Sequence, residues 1–189
     1  KAILSSGLIP SFKRAWEILW DLSKNSLEEI ETHFPVQINQ LSLINDSEGP
    51  GKFRGGLGMR RDYHFPKDYA TFTILSDRDI AGPKGIFGGL DGRKAYYILN
   101  PSHPTKKPKK LTSKCVINLE PGDTVSFQTP GGGGYGNPKM RNVNSVYEDL
   151  LNNKITYERA EKFYGVVINK KTNKIDTKKT EKKRRTKWR

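Results

Sequence analysis

The sequence is poor in the residues that cross-link small domains or anchor proteins in membranes. Cys115 is the only cysteine among 189 residues, so no disulfide can form within the chain and a cysteine-based zinc site is not expected. No apolar run approaches the roughly 20 residues that a membrane span needs, and the N-terminus lacks the apolar stretch of a secretory signal. These absences predict an intracellular, cytoplasmic protein with no membrane partner.

The length and composition favour one domain with a sizeable core. With 34% hydrophobic and 10% aromatic residues, the chain is expected to be globular over most of its length. It begins at Lys1 and not at a methionine, which we interpret as a sign of a processed or incomplete piece of something larger.

Positive charge is concentrated near the C-terminal end. Residues 170–189 carry 11 of the 34 Lys and Arg residues and only 2 acidic ones, so most of the net charge of +14 lies in this basic tail. Having little to bury, the tail is predicted to be disordered in isolation. A second basic cluster, residues 103–114, is expected to form an exposed loop. Both tracts are interpreted as solubilising. The alternative is that they bind nucleic acid or an acidic partner, with affinity that comes from the release of counterions.

The hydrophobic pattern predicts an α+β fold. Residues 11–24 have helical spacing, and residues 25–34 suit a short helix that Pro35 ends. Residues 36–44 alternate as a strand does. Short runs rich in β-branched and aromatic residues follow, separated by turn signals, and predict a mainly antiparallel β body: "MRRDYHF", "YATFTIL", "AYYILN", "CVINL" and "TVSFQT".

The second half of the chain gives the clearest local signals. Residues 114–129 predict a hairpin around the turn at residues 120–123. Asn144 and Thr156 are predicted to cap two short helices, and Gly165 to close the second. We therefore divide the chain into an N-terminal helical segment (1–34), a glycine-rich β body (35–140), a C-terminal helical segment (141–169) and the basic tail (170–189).

The stretch "FQTPGGGGYGNP", residues 127–138, is costly to order, because glycine loses more backbone entropy on folding than any other residue. A flexible linker is disfavoured, since the run is short and framed by prolines. The remaining explanation is close approach of the backbone, either to another segment of the chain or to a ligand. The candidate contact residues in this loop are Gly131, Gly132, Gly133, Gly134 and Tyr135.

Two other glycine-rich segments are "FRGGLGMR" and "IFGGLDGRK". In the first, backbone N–H groups and guanidinium groups could converge on a carboxylate or phosphate. Neither segment has the spacing of a P-loop or a dinucleotide fingerprint. Tight turns and bulges in a bent sheet are the favoured interpretation, with subunit contact or active-site lining as the alternative. The candidates are Arg54, Gly55, Gly56 and Gly58.

The titratable residues do not predict a catalytic centre. The three histidines, His33, His64 and His103, lack the spacing of metal ligands, so no metal site is predicted for this chain. Asp77 and Asp79 flank Arg78 and suit a turn with a local ion pair, or alternatively an acid–base pair or hard-cation site. Asp77 and Arg78 are kept as candidate contact residues.

Cys115 has no histidine near it in the sequence. It is predicted to be a small residue of the hydrophobic core and not a nucleophile. The catalytic residues of any enzyme to which this chain contributes therefore stay unassigned.

Five blocks of the sequence, taken in order, resemble the C-terminal part of the hydantoinase B family: "GPGKFRGGLGMRRDYHF", "TILSDR", "GIFGGLDGRK", "LTSKCVINLEPGDTVSFQTPGGGGYGNP" and "ITYERAEKFYGVVI". The resemblance covers roughly residues 35–167. The family includes the B-type portions of 5-oxoprolinases and N-methylhydantoinases and subunits of acetone and acetophenone carboxylases.

The resemblance implies a C-terminal domain or small subunit of a larger enzyme. Family members are about three times this length, and their metal and active-site region has no counterpart here. ATP and a divalent metal are implied for the wider assembly, which includes a larger B-type portion and an ATP-binding A-type subunit, and this chain alone is expected to bind no cofactor and to be inactive. The alternative hypothesis is a non-enzymatic basic protein that binds nucleic acid or an acidic partner.

Overall fold

The computed structural model describes residues 27–185, so the helix predicted over residues 11–24 lies outside the described part of the chain. The elements follow in this order: α1 (Leu27–His33), β1 (Gln37–Leu43), β2 (Met59–His64), β3 (Ala70–Leu75), β4 (Tyr96–Leu99), β5 (Lys109–Leu111), β6 (Lys114–Leu119), β7 (Thr124–Gln128), a 3-10 turn (Pro138–Met140), α2 (Val143–Leu151), α3 (Tyr157–Lys162) and α4 (Thr177–Arg185). The predicted α+β fold with a mainly antiparallel β body is confirmed.

The strands form two antiparallel sheets. The larger has the order β1-β2-β7-β4-β5, and the smaller pairs β3 with β6. In the small sheet Phe72 lies opposite Ile117 and Ile74 opposite Cys115, whereas Thr73 and Val116 lie opposite each other on the alternate face. This period-2 pattern turns one face inward, because successive strand side chains point to opposite sides.

The two sheets share one hydrophobic core. Its fully or largely buried members come from both sheets and the segment before β4: Ile74, Ala95, Tyr97, Leu111, Leu119 and Val125. Cys115 packs half-buried against this core, and its Sγ donates to the Thr112 carbonyl at 3.4 Å. Cys115 thus lies at the edge of the core, and not fully inside it.

The hairpin predicted over residues 114–129 is wrong, although its turn is present. The Asp123 N–H donates to the Glu120 carbonyl at 3.0 Å, and Gly122 has a φ of +88°, which suits glycine at the third position of a type II turn. However, β6 pairs with β3, while β7 lies between β2 and β4. Local turn chemistry determines where the chain reverses, but burial determines which strands pair, and here the turn carries the chain from one sheet to the other.

A second core is formed by the C-terminal helical segment. Val146 and Leu150 of α2 pack with residues of α3 and the segment after it, including Ala160, Tyr164 and Val166. Thr156 caps α3 as predicted, its hydroxyl accepting from the Arg159 N–H at 3.2 Å. Gly165 has a φ of +66° just beyond the helix, where glycine avoids steric cost.

The cap of α2 differs from the prediction. Asn142, and not Asn144, caps the helix, and its side-chain oxygen accepts from the N–H groups of Asn144 and Ser145 at 2.8 and 3.3 Å. Two asparagines two residues apart give the same composition signal, so only the backbone geometry identifies the cap.

The prediction that the basic tail is disordered is wrong for its described helical part. Residues 177–185 form α4, whose buried Thr180 hydroxyl accepts from the Val167 N–H at 3.0 Å. Arg184 donates to the carbonyls of Tyr164 at 3.1 Å and Arg141 at 2.8 Å. The helix is therefore held by hydrogen bonds to the C-terminal helical segment, which composition alone does not reveal. Within residues 27–185, no helix is both long and apolar enough to cross a membrane.

Candidate functional site

Three glycine-rich segments come together beside the larger sheet. Residues 47–58, 82–93 and 129–136 are joined by backbone hydrogen bonds, and we call them the glycine cluster. The Gly49 N–H donates to the Gly132 carbonyl at 2.7 Å, and the Gly132 N–H donates to the Gly56 carbonyl at 2.8 Å. The Gly134 N–H donates to the Leu90 carbonyl at 2.9 Å. The cluster therefore joins segments that are far apart in the sequence.

The glycines of the cluster allow backbone to touch backbone. A Cβ placed on Gly131 would lie 1.7 Å from the Ser47 carbonyl oxygen, and one on Gly55 would lie 2.0 Å from the Gly132 carbonyl oxygen. On Gly133 it would lie 2.1 Å from the Lys84 carbonyl oxygen. These distances are far inside van der Waals contact, so any side chain would force the segments apart. The run of four glycines thus serves close approach to other chain segments.

The structure brings most of the predicted contact residues into this cluster. Arg54, Gly55, Gly56 and Gly58 lie in its first segment, and the loop of residues 131–135 supplies its third. Asp77 and Arg78 do not belong to it: they follow β3, where Asp77 forms an exposed ion pair with Lys114 at 3.5 Å.

The two guanidinium groups predicted to converge on an anion are each paired with a carboxylate. Arg54 Nε lies 2.9 Å from Asp149 Oδ2, and its Nη1 donates to the Gly55 carbonyl. Arg60 forms a bidentate ion pair with Asp62, with Nε and Nη2 of the arginine 2.6 to 3.1 Å from the carboxylate oxygens. This pair raises the pKa of Arg60. The charge of each guanidinium is therefore offset by a neighbouring carboxylate, which weakens its attraction for an external anion.

Buried carboxylates tie the glycine cluster to the C-terminal helices. Asp149 of α2 accepts from both Arg54 and Arg141, at 2.9 and 2.8 Å. Glu48 is fully buried, and its Oε1 accepts from Arg159 at 2.8 Å and from the Tyr164 hydroxyl at 3.1 Å.

The second oxygen of Glu48, Oε2, has no hydrogen-bond partner among the described residues. Burial raises the pKa of Glu48, because the loss of water destabilises the charged form more than Arg159 and Tyr164 stabilise it. The same burial, with Glu48 beside it, raises the pKa of Tyr164. These groups form a buried structural network in which the Glu48 carboxyl holds its proton more tightly than it would in water.

Sequence reasoning did not find this network. Most of its pairs join distant residues: Arg54 and Asp149 are 95 positions apart, and Glu48 and Arg159 are 111 positions apart. A single sequence carries no local signal for such pairs, since an isolated Glu or Arg on a helix is most often solvated.

Two histidines that looked unrelated in the sequence line one open cleft of about 310 Å³, together with Arg60, Asp62 and Thr124. His64 Nδ1 lies 3.0 Å from the Thr124 hydroxyl, and His103 Nδ1 accepts from the Lys106 N–H at 3.0 Å. Across the described range of residues 27–185, however, no group of three or more His, Cys, Asp or Glu side chains is arranged to hold a metal ion.

The outer side of the glycine cluster carries exposed aromatic rings. Phe53 and Tyr135 exchange backbone hydrogen bonds at 2.9 and 3.0 Å, and their ring centroids lie 6.2 Å apart. The Phe87 ring lies 5.2 Å from that of Tyr135. The backbone of the cluster thus positions a group of rings that the protein leaves partly in solvent.

The chain is similar to proteins of one family. The Hydantoinase B/oxoprolinase family model matches residues 19–138, so the match both begins and ends earlier in the chain than the resemblance over roughly residues 35–167. The chain is 39% identical over 146 residues to an uncharacterized protein of Methanocaldococcus jannaschii, covering 77% of this chain and 25% of that protein. It is 34% identical over 159 residues to the putative B-type component of a D-/L-hydantoinase from a Pseudomonas strain, covering 82% of this chain and 26% of that one.

Two solved structures have the same fold. The ATP-dependent caprolactamase from Pseudomonas jessenii matches with a TM-score of 0.71 and 29% identity, over 85% of this chain and 28% of that chain. Nucleotide-free acetone carboxylase matches with a TM-score of 0.72 and 19% identity, over 85% and 26%. This chain therefore spans about a quarter of the length of these relatives. Because the family model covers more than half of the chain, the chain belongs to the Hydantoinase B/oxoprolinase family.

Proposed function

We propose that this chain supplies one portion of a hydantoinase B-like assembly that hydrolyses a cyclic amide, such as a hydantoin or 5-oxoproline, at the expense of ATP. Carboxylation of a ketone is the alternative chemistry within the same family. The observation that best supports this proposal is the glycine cluster, because its glycines lie within the residues that the family model matches. A chain that used only a charged tail would have no need of that arrangement.

The described residues suit a supporting role better than a catalytic one. No set of metal ligands is present among residues 27–185. The N–H groups of Gly49, Gly131, Gly132 and Gly134 donate to backbone carbonyls, so they do not form a phosphate cradle. We therefore assign the divalent metal to the larger B-type portion, and ATP to the A-type subunit. ATP bound there supplies the activation of the amide or ketone carbonyl.

The role of this chain in the assembly is to hold contact surfaces in place. Gly55, Gly58 and residues 131–134 fix the backbone, while Arg54 links the cluster to α2 through Asp149. With Gly56, Tyr135, Asp77 and Arg78, these residues are proposed as subunit-contact or active-site-lining positions. An ATP-dependent assembly of this kind is expected in the cytoplasm.

The test is activity of the native complex, isolated through a tag on this chain at moderate salt. With ATP, we expect turnover of at least one of hydantoin, 5-oxoproline and caprolactam, or of acetone with bicarbonate, and none without ATP. Removal of this chain should abolish turnover. A preparation that turns over none of them and instead carries nucleic acid, released as salt rises, would contradict the proposal and favour the basic-protein alternative.

A further inference from the structure

An exposed apolar patch lies on the glycine cluster. It consists of Phe53, Ile86, Phe87 and Tyr135, and we call it the aromatic patch. The exposed fractions of its rings are 61% for Phe53, 78% for Phe87 and 46% for Tyr135. Single exposed apolar residues are ordinary on protein surfaces, but a contiguous group of rings indicates a contact surface.

The aromatic patch is held rigidly. Tyr135 forms β-bridges with both Phe53 and Ile86, so backbone hydrogen bonds fix three of the four positions. Phe87 has a φ of +51°, a left-handed conformation that is uncommon for a bulky residue. Gly88 follows at a φ of +87°. A backbone that is already ordered loses little conformational entropy when a partner covers it, so this geometry favours association.

The edge of the aromatic patch is positively charged. Lys52 Nζ lies 5.6 Å from the centroid of the Phe53 ring, and the exposed Lys52 side chain extends over that ring. A matching partner surface therefore has an apolar centre to receive the rings and an acidic side chain near Lys52.

The comparison of lengths supports the choice of one partner. The segment equivalent to this chain forms only 26% and 28% of the two solved chains with the same fold, so most of a B-type chain lies outside it. The aromatic patch lies within residues 19–138, the range that the family model matches. In residues 27–185 taken alone, any surface that contacts the rest of a B-type chain is left exposed to solvent.

We infer that the aromatic patch is the docking surface for the larger B-type portion, whether that portion is a separate subunit or part of a longer chain. This inference rests on the proposed function. It excludes a second copy of this chain and the ATP-binding subunit as the occupant of the patch. Phe87, which is the most exposed of the three rings, is assigned to the centre of the contact.

Site-specific photocrosslinking in the protein's own cells tests the inference. p-Benzoylphenylalanine at position 87 should give crosslinked peptides from a sequence that belongs to the same family and lies outside residues 1–189. The matched control is the same probe at Tyr69, which is 81% exposed and lies just before β3. We expect at least a tenfold lower yield of that crosslink from position 69.

A double variant, Phe53→Ser with Phe87→Ser, provides the second measurement. It should weaken binding of the larger B-type portion at least tenfold, whereas Tyr69→Ser should change it less than twofold. Both side chains are exposed, so the melting temperature of this chain should stay unchanged. Crosslinks from position 87 to a second copy or to the ATP-binding subunit, or none at all while the complex still copurifies, would overturn the inference alone. Failure of any such complex to copurify would overturn the proposed function as well.

Discussion

The glycine cluster and the C-terminal helical segment are packed in opposite ways. In the cluster, carbonyl oxygens of one segment lie where side chains of another would be, as at Gly131 and Ser47. In the helical segment, side chains such as Val146 and Tyr164 fill the space between helices. Backbone packing tolerates no added atom, whereas side-chain packing can adjust. The first region therefore restricts its sequence far more strongly than the second.

The largest expected effect comes from adding one methyl group to the cluster. Gly131→Ala places a Cβ 1.7 Å from the Ser47 carbonyl oxygen, so we expect a loss of about 4 kcal/mol or more in the free energy of unfolding, or failure to fold. Gly56→Ala is the control, since no atom lies within 4 Å of its Cβ, and it should change stability by about 0.5 kcal/mol at most. Urea unfolding followed by circular dichroism distinguishes them. Equal effects of the two variants would refute backbone packing as the reason for the glycines.

The ion pairs that join the two regions should come next. Asp149→Ala leaves the partly buried Arg54 and Arg141 without their carboxylate, and we expect a loss of about 3 kcal/mol. Glu158→Ala, which removes an exposed pair with Lys170, is the control and should cost less than about 1 kcal/mol. The same unfolding measurement applies. An Asp149→Ala variant as stable as the control would mean that the two regions are not coupled through these arginines.

Removal of one methyl group from the helical core should be tolerated. Ile155 is buried in that core, and Ile155→Val is expected to cost about 1 kcal/mol. Ile155→Val removes one methyl group, whereas Gly131→Ala adds one. The two variants therefore compare side-chain packing with backbone packing directly. A cost for Ile155→Val that matches the cost for Gly131→Ala would remove the distinction between the regions.

The smallest effect is a pH dependence at Glu48. Burial raises the pKa of Glu48 above its usual 4.5, so the folded protein keeps a proton that the unfolded chain releases. The stability contributed by this group must then fall as pH rises from about 4.5, and level off above the folded-state pKa. In Glu48→Gln this contribution is absent.

The measurement for Glu48 is urea unfolding of both proteins between about pH 4 and pH 8. The stability of the wild type minus that of Glu48→Gln should decrease as pH increases. A difference that increases with pH would mean that Arg159 outweighs burial and lowers the pKa of Glu48.

The sequence predicted local structure better than it predicted which distant segments contact each other. The strands from "MRRDYHF" to "TVSFQT" and the Thr156 cap are confirmed, because alternation and capping depend on residues close together in the chain. The pairing of β6 with β3, and the docking of α4 through Thr180 and Arg184, depend on distant segments and were missed. The four glycines at 131–134 indicated a close approach of the backbone. Only the structure shows that the backbone approaches other segments of this chain.

The composition of the native complex tests the central claim most directly. The complex would be isolated through this chain from its own cells at moderate salt, and its intact mass measured by native mass spectrometry. We predict a stable assembly with the larger B-type portion and an ATP-binding A-type subunit. Recovery of this chain alone, or with nucleic acid only, would contradict that claim.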